Sequence, residues 1–419
     1  MKLPHFLAIA AALFLSFLGG IVVTTEGLPP SQAAKRIVAE LKDLVINWRA
    51  YYADEPTLHL APSVYPGSET VTAEPARMQP GVTLLTGLFG DRLGFRLVGP
   101  SGEIVHDWPI DFFQVAPEEM EHKFHALIHG TQLFPNGDIV ANLDGRGMIR
   151  FDRCGAVLWQ NASRTHHSIF LAEDGFLWAP MLADKISDPG FATEPFHFDT
   201  IGKFDPDSGE LDEVIALYDV LERSERLALA RRGQSNLDDI THTNDVEILG
   251  PDLASDFPIF AAGDIMVSNR HIDQIWVIDG QTKTLKWFFT GPMRGQHDPD
   301  FQPGGKITVF DNSGKPLAGG PRQSRILEID PSNGNTRELF GGTPDQEFFT
   351  PYRGKHQMLA NGNILATETD RGRAIEVDPD GRIVWSYVNR WDEDRVGWLM
   401  QAQRYPLAYL VNGAGCNGS

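Results

Sequence analysis

The sequence predicts an all-β protein, a six-bladed β-propeller that follows an N-terminal membrane or signal helix and a short helical arm. The 419-residue chain has 41 glycines and 28 prolines, and its hydrophobic runs are short. This composition favours many strands and turns over a helical bundle. From about residue 81 a weak unit repeats, which is typical of propellers and other repeat folds. The repeat length suits a four-stranded meander with its loops.

The N-terminal segment predicts export. Lys2 precedes an apolar run from Phe6 to Val23, whose length is at the lower limit for spanning a bilayer. No small-x-small cleavage site follows it. The sequence therefore favours an uncleaved signal anchor over residues 1–25, with a cleaved signal peptide as the alternative. Either places the body outside the cytoplasm, membrane-anchored on the periplasmic or extracellular side, or secreted.

Residues 26–80 predict a helical arm and a linker. Ser31 is a suitable N-cap for a helix from about Gln32 to Tyr52, because apolar residues there recur at helical spacing. Residues 53–80 are polar and proline-rich, which indicates a linker or an arm wrapped on the body.

Residues 81–415 contain the repeat. The first half of each unit is a histidine, a turn with glycine and a strand. The second half is an apolar strand ending in Asp, a glycine turn and a strand often closed by Trp, as in Ile275–Asp279 with Trp287. Gaps of 38, 75, 55 and 59 residues separate the unit histidines, which are His129, His167, His242, His297 and His356.

The ring is expected to close with both chain ends. Gly94–Trp108 holds only the second half of a unit, and Gln401–Val411 supplies the matching first half. Five complete units and this split one give six blades.

Charge and cysteine content limit the function. The net charge of −20 argues against a nucleic-acid surface, and an anionic substrate would need a local positive cluster. The two cysteines, Cys154 and Cys416, are far apart, and the sequence leaves their pairing open.

Three polar clusters lie beside strand-like runs. They are Thr241–Asp245, Ser268–Arg270 and Gln296–Asp298. Histidine, asparagine and arginine are poor core residues. In a propeller the starts of the innermost strands meet at one mouth of the central channel. The clusters therefore predict a site that holds and attacks an anion.

These clusters resemble motifs of the arylsulfotransferase family. Its members are export-compartment enzymes that use no nucleotide sulfate donor. His242-Thr-Asn244 is similar to the family's His-x-Asn at the start of a central strand. Ser268–Arg270 resembles the arginine strand that follows. Gln296–Asp298, with Phe310–Gly314, resembles the segment that holds the nucleophilic histidine.

An earlier histidine pair completes the resemblance. Thr165-His-His-Ser168 is similar to the family's pair, and register favours His167 over His166. Both His129 and His167 lie eight residues before a turn glycine.

The resemblance implies transfer of a sulfuryl group from a phenolic sulfate ester to a phenol through a sulfohistidine. His297 would be the nucleophile, and Asp298 is a candidate to orient its ring. His242 and Arg270 would stabilise the sulfuryl oxygens, and His167 would transfer protons.

The remaining expectations concern binding. Asn244, His166 and His356 are predicted to bind substrate, and no metal or organic cofactor is required. Small phenols and aryl sulfates are the expected partners, with the membrane reached through the N-terminal segment and no nucleic acid. The oligomeric state is left open, a homodimer being one candidate.

Two other functions remain open from the residues alone. One is a non-catalytic propeller that binds a ligand or protein. The other is a metal-dependent hydrolase in which the channel histidines, Asp245 and Asp298 hold a divalent cation. Arg270 argues against the hydrolase, because a fixed cation beside a metal ion is unfavourable.

Overall fold

Six antiparallel sheets are arranged as the blades of a propeller, which confirms the predicted fold class. The computed structural model describes residues 14–20, 55–65, 71–108, 127–313, 323–343 and 346–410. The chain divides into two compact parts, Met1–Leu58 and His59–Ser419, and the blades belong to the second.

Each of blades 1 to 3 is a meander of four consecutive strands. From the innermost strand outwards, blade 1 comprises Ile128–Leu133, Ile139–Leu143, Gly147–Phe151 and Val157–Asn161. Blade 2 comprises Phe170–Leu171, Leu177–Met181, Thr200–Phe204 and Leu211–Ala216. Blade 3 comprises Thr243–Ile248, Ile265–Asn269, Gln274–Ile278 and Leu285–Phe289.

Blades 4 to 6 complete the ring. Blade 4 comprises His297–Gln302, Lys306–Asp311, Arg325–Ile329 and Thr336–Gly341. Blade 5 comprises His356–Met358, Ile364–Glu368, Arg373–Val377 and Ile383–Val388, with Val71–Ala73 added at its outer edge. Blade 6 comprises Leu399–Tyr405, Val82–Phe89, Arg92–Val98 and Ile104–Trp108.

Burial explains why the strands differ in composition. Ile139–Leu143, second in its blade, is buried at every position because a neighbouring blade covers each face. The outermost strand Val157–Asn161 is exposed at three of five positions. Apolar side chains fill the space between adjacent blades, as where Trp385 of blade 5 is fully buried and its Nε1 donates to Pro100 O at 3.0 Å.

Blade 6 is built from both chain ends, as predicted, but its pairing differs. The closing strand is Leu399–Tyr405 rather than Gln401–Val411, and it pairs with Val82–Phe89. Gly94–Trp108 is therefore one strand removed from it. The prediction missed Val82–Phe89 because that strand is buried at every position and carries no unit marker.

The elements outside the blades are short. Leu60–Pro62 pairs with Arg395–Gly397. Two α-helices, Leu217–Arg223 and Pro251–Ala254, lie in inter-strand connections. The described 3-10 helices are Thr57–His59, Leu227–Ser235, Arg270–Ile272 and Thr369–Arg371.

The predicted N-terminal segments lie mostly outside the described residues. Residues 14–20 of the apolar run are helical. The proposed arm helix from Gln32 to Tyr52 is outside the described ranges. Among the helices that the structure describes, none has the length and apolar character needed to cross a membrane. Cys154 is disulfide-bonded, and Cys416 is not among the described residues.

Candidate active site

A cavity lies where the innermost strands of all six blades begin, at one end of the central channel. We call it the mouth cavity. Its lining comes from residues at or just before the strand starts, so segments distant in sequence meet there. The lining side chains include His129, His167, Asn244, His297, Asp298, Arg353, Lys355 and Met400.

Irregular backbone at the strand starts presents these side chains. The innermost strands of blades 1, 3, 4 and 6 each shift register within their first residues. His167, His242 and Asp298 have φ values of 56°, 47° and 55°, a conformation that is unfavourable for residues other than glycine. Bulges and such strain occur often beside active sites, where they redirect side chains.

His297 is held as a neutral imidazole with a defined tautomer. Its Nδ1 lies 2.7 Å from Asn312 Oδ1 and 2.9 Å from Gly295 O, and both are acceptors. The proton therefore resides on Nδ1 and the lone pair on Nε2. Burial lowers the pKa of His297 to about 3, and the nearby positive charge of Arg270 also lowers it.

A row of imidazole rings extends from the mouth cavity, which His129 and His167 line. The ring centroids of His129 and His167 are 4.3 Å apart, those of His167 and His242 are 4.8 Å apart, and those of His242 and His271 are 4.4 Å apart. Asp239 Oδ2 lies 2.6 Å from His242 Nδ1. The row therefore links blades 1, 2 and 3 in one continuous set of rings.

His166 lies behind His167 and is hydrogen-bonded to it. The two Nδ1 atoms are 2.8 Å apart, and His166 Nε2 is 3.5 Å from Asp199 Oδ1. Burial opposes protonation of His166, but Asp199 and Asp144 raise its pKa above the ordinary value. Burial lowers the pKa of His167 well below the ordinary value. The Nδ1–Nδ1 contact needs a proton on one of the two rings, and Asp199 and Asp144 favour its residence on His166.

Arg270 does not line the mouth cavity, but its positive charge acts on His297. It follows the second strand of blade 3, and its backbone N–H donates to His242 O at 3.1 Å. Its Cζ lies 5.3 Å from the centroid of the Tyr352 ring. Within the part of the chain that the structure describes, its guanidinium forms no ion pair. Arg353, by contrast, pairs with Asp370 at 3.3 Å.

Asn244 is fixed by the segment that precedes His297. Its Nδ2 donates to Gln296 O at 2.8 Å, while its buried Oδ1 has no hydrogen-bond partner among the described residues. Gln296 in turn donates to Asn269 O and Gln274 O, at 3.2 and 3.1 Å. These bonds lock the strand starts of blades 3 and 4 together.

Comparison with known proteins shows the family of this chain. A family model described as arylsulfotransferase (ASST) matches residues 130–390. The chain belongs to the arylsulfotransferase family. The match confirms the family predicted from the motifs, and it spans the five complete blades. No curated protein matches the chain significantly.

Three solved structures are similar to this arylsulfotransferase-family protein at low sequence identity. A protein of unknown function from Bacteroides caccae shares 12% identity over 77% of this chain and 98% of its own, with a TM-score of 0.50. A streptogramin B lyase shares 13% identity over 80% and 88%, with a TM-score of 0.42. A Staphylococcus aureus virginiamycin B lyase shares 13% over 62% and 69%, with a TM-score of 0.36.

The structure brings most of the predicted site residues of this arylsulfotransferase-family protein together. His297, His167 and Asn244 line the mouth cavity. His242 lies against His167, whose ring also contacts the buried His166. His356 does not line this cavity.

Asp298 was a candidate to orient His297, but its carboxylate contacts other residues. Its Oδ1 pairs with Lys355 and its Oδ2 lies 3.0 Å from His356 Nδ1. Lys355 also lies 3.5 Å from Asp245. The two carboxylates that the hydrolase hypothesis assigned to a metal ion therefore contact an ammonium group instead.

Four polar residues of the site were missed. Asn312 follows the second strand of blade 4, and Asp144 follows the corresponding strand of blade 1, where its Oδ1 is 3.1 Å from His129 Nδ1. Asp239 and His271 flank His242. Their position in the repeat could have identified Asn312 and Asp144. Each follows the second strand of its unit, and these strand ends converge near the mouth cavity. His129–Asp144–His167 and Asp239–His242–His271 also have metal-ligand spacing.

Proposed function

We propose that this protein transfers a sulfuryl group from a phenolic sulfate ester to a phenol through a sulfohistidine at His297. The observation that carries the proposal is the tautomer of that ring. Two acceptors hold the Nδ1 proton, and Nε2 has no hydrogen-bond partner in the described part of the chain. A neutral imidazole with a free lone pair is a good nucleophile.

In the first step the Nε2 lone pair forms a bond to sulfur as the S–O bond to the aryl group breaks. The bonding pair leaves on the phenolate oxygen. The product ring keeps its Nδ1 proton, so the sulfonated imidazole carries a ring cation that favours transfer onward. In the second step the oxygen of the acceptor phenol attacks sulfur, the N–S bond breaks and His297 is regenerated.

Arg270 stabilises the sulfuryl oxygens. A guanidinium offers a permanent charge and a planar set of N–H donors, and this one has no carboxylate partner among the described residues. It supplies the local positive charge that an anionic substrate needs in a protein of net charge −20. His242, stacked on His271, adds a further donor beside it.

His167 and His166 form a proton relay. His166 donates to His167 Nδ1, so neutral His167 carries its own proton on Nε2. His167 gives that proton to the departing phenolate and receives one from His166 at Nδ1. The relay runs in reverse when the acceptor phenol is deprotonated. Asp199, 3.5 Å from His166, stabilises the charged form.

The apolar N-terminal run supports an extracytoplasmic location for the reaction. The substrates are small phenols and their sulfate esters, and the scheme uses no metal or organic cofactor.

The test is to incubate the protein with an aryl sulfate and no acceptor. One sulfuryl mass is expected on the peptide that contains His297, and a second phenol should accelerate release of the first. His297→Asn should abolish the adduct and turnover together. His106→Asn, in the outermost strand of blade 6, is the matched control and should keep both. An adduct on another histidine, or full activity in His297→Asn, would overturn the assignment.

A further inference from the structure

A second cavity lies farther along the innermost strands, beyond Asp298 and Lys355. We call it the channel cavity, and its volume is about 330 Å³. Asp298 and Lys355 border both cavities, so they form the partition between them. Glu247 of blade 3, Asp300 of blade 4 and His356 of blade 5 also face the channel cavity. None of these three enters the proposed transfer reaction.

His356 presents an unsatisfied nitrogen to this cavity. Asp298 Oδ2 lies 3.0 Å from His356 Nδ1 and accepts the backbone N–H of the same residue at 2.6 Å. The carboxylate therefore holds the ring proton on Nδ1 and leaves the lone pair on Nε2. The side chain of His356 is fully buried, and within the described ranges Nε2 has no hydrogen-bond partner.

The lone pair of His356 faces a carboxylate. Asp300 Oδ2 lies 3.6 Å from Nε2, too far for a hydrogen bond. Asp300 keeps 28% of its side-chain surface open, as expected for a group that lines a cavity. Two electron-rich atoms thus face each other across a gap that suits a bridging cation.

The charges around the channel cavity are unbalanced. Four carboxylates, those of Asp245, Glu247, Asp298 and Asp300, surround one ammonium group, that of Lys355. Lys355 contacts Asp245 and Asp298, which leaves the other two without a contacting Lys or Arg among the residues that the structure describes. The local environment therefore favours an added positive charge.

We infer that the channel cavity binds a first-row divalent metal ion, with His356 Nε2 and Asp300 as ligands. One ligand atom from each of Asp298, Asp300 and His356 lies within 4.8 Å of the other two. Asp298 is the outer-shell carboxylate that fixes the histidine tautomer, an arrangement common around metal-bound histidines. Glu247 adds charge nearby, and the cavity has room for bound water.

The donor set indicates the class of ion. An imidazole nitrogen together with carboxylates suits Mn²⁺ or Zn²⁺ better than Ca²⁺ or Mg²⁺, which prefer oxygen ligands throughout. Because the ligands come from blades 4 and 5, the ion ties adjacent innermost strands together. This binding is separate from the proposed sulfuryl transfer, and its test does not depend on that activity.

The experiment uses the full chain, stripped with a chelator and titrated with Mn²⁺ or Zn²⁺ by calorimetry, with Mn²⁺ also followed by electron paramagnetic resonance. One site is expected, and its occupation should raise the melting temperature. Asp300→Asn and His356→Gln should each weaken binding at least about ten-fold. His129→Gln, which alters another histidine–carboxylate group, should leave it unchanged.

A folding defect is separated from a binding defect by melting each variant in chelator. Asp300→Asn removes an unneutralised carboxylate, so the metal-free variant should melt no lower than the metal-free wild-type protein. The inference is overturned if neither ion binds the wild-type protein. It is equally overturned if binding survives both Asp300→Asn and His356→Gln, or is lost in His129→Gln.

Discussion

Asn312 Oδ1 lies 2.7 Å from His297 Nδ1, and this contact fixes which ring nitrogen is free to react. The amide cannot flip without loss, because its Nδ2 donates to Thr350 O at 3.0 Å and to Arg353 O. Asn312 therefore acts as a positioning residue for the proposed nucleophile. It is the counterpart of the carboxylates that orient histidines in many enzymes.

Replacing Asn312 should misorient the nucleophile without removing it. We expect Asn312→Leu to slow single-turnover labelling of His297 by about 100-fold or more. Asn312→Asp should restore the acceptor but raise the pKa of His297, so its labelling rate should fall on the acid side of neutrality. The measurement is the labelling rate against pH. Equal rates and pH profiles in all three proteins would show that Asn312 only supports the loop.

Arg270→Lys should remove most of the activity although it keeps the charge. The ammonium cannot reproduce the planar set of donors, and loss of one such donor costs about 100-fold or more in kcat. Arg337→Lys is the matched control, because that side chain is exposed and pairs with Glu328 on the outside of blade 4. If Arg270→Lys turned over normally, Arg270 would contribute only a general electrostatic field.

His166→Gln should slow turnover of some aryl sulfate substrates more than others, depending on the pKa of the phenol that is released. If His166 supplies the relay proton, its loss should slow release of phenols of high pKa more than release of nitrophenols, which leave readily as anions. A plot of log kcat/KM against leaving-group pKa should therefore become steeper. A uniform loss across the series would instead indicate a structural role for the pair with Asp199.

The stability of the fold should respond to His297 as pH falls. Because its pKa of about 3 in the folded protein lies below the ordinary 6.5, the unfolded chain takes up the proton first. Neutral His297 therefore adds to the free energy of unfolding. This contribution is fully present above about pH 6.5 and is lost as the pH falls towards 3. His297→Asn should flatten the slope of unfolding free energy by up to about 1.4 kcal/mol per pH unit. Urea unfolding at pH 7, 6 and 5 measures it; parallel slopes would contradict the shift.

Deleting the residues after Leu399 should unfold the whole propeller rather than shorten it. The deletion removes the innermost strand of blade 6 and exposes the edge of Val82–Phe89. It also removes Arg404, whose guanidinium pairs with the fully buried Glu376 at 3.0 Å. Calorimetry should show no cooperative native transition. Native-like cooperative melting of the truncated chain would contradict ring closure by this strand.

The fold could be predicted from the sequence because the repeat consists of local residue patterns. A histidine at or near the start of five innermost strands and an Asp at five turns recur at propeller spacing, and these patterns need no knowledge of distant contacts. Val82–Phe89 was missed for the same reason, since its pairing with Leu399–Tyr405 has no local marker. The place of the site could be predicted because its residues lie near the starts of the innermost strands. In any propeller these starts meet at one mouth of the channel.

The partners of each side chain could not be predicted in this way. Asp298 adjoins His297 in sequence, yet its φ of 55° and the register shift after it turn the carboxylate towards His356. Asn312, 15 residues away, takes the orienting place instead. Such choices depend on a bulge of one or two residues, which propensity and periodicity do not encode.

Blade 6, whose strands lie on either side of the other five blades in sequence, also determines the order of folding during synthesis. Arg404 Nε donates to Thr83 Oγ1 across 321 positions, so the contact that closes the ring joins residues on either side of the other five blades. Until Leu399–Tyr405 has been synthesised, the nascent chain holds an open stack of blades with an unpaired strand edge. A ribosome that stalls before Leu399–Tyr405 therefore leaves a chain that is open to proteolysis, and only molecules that contain this strand reach the closed state.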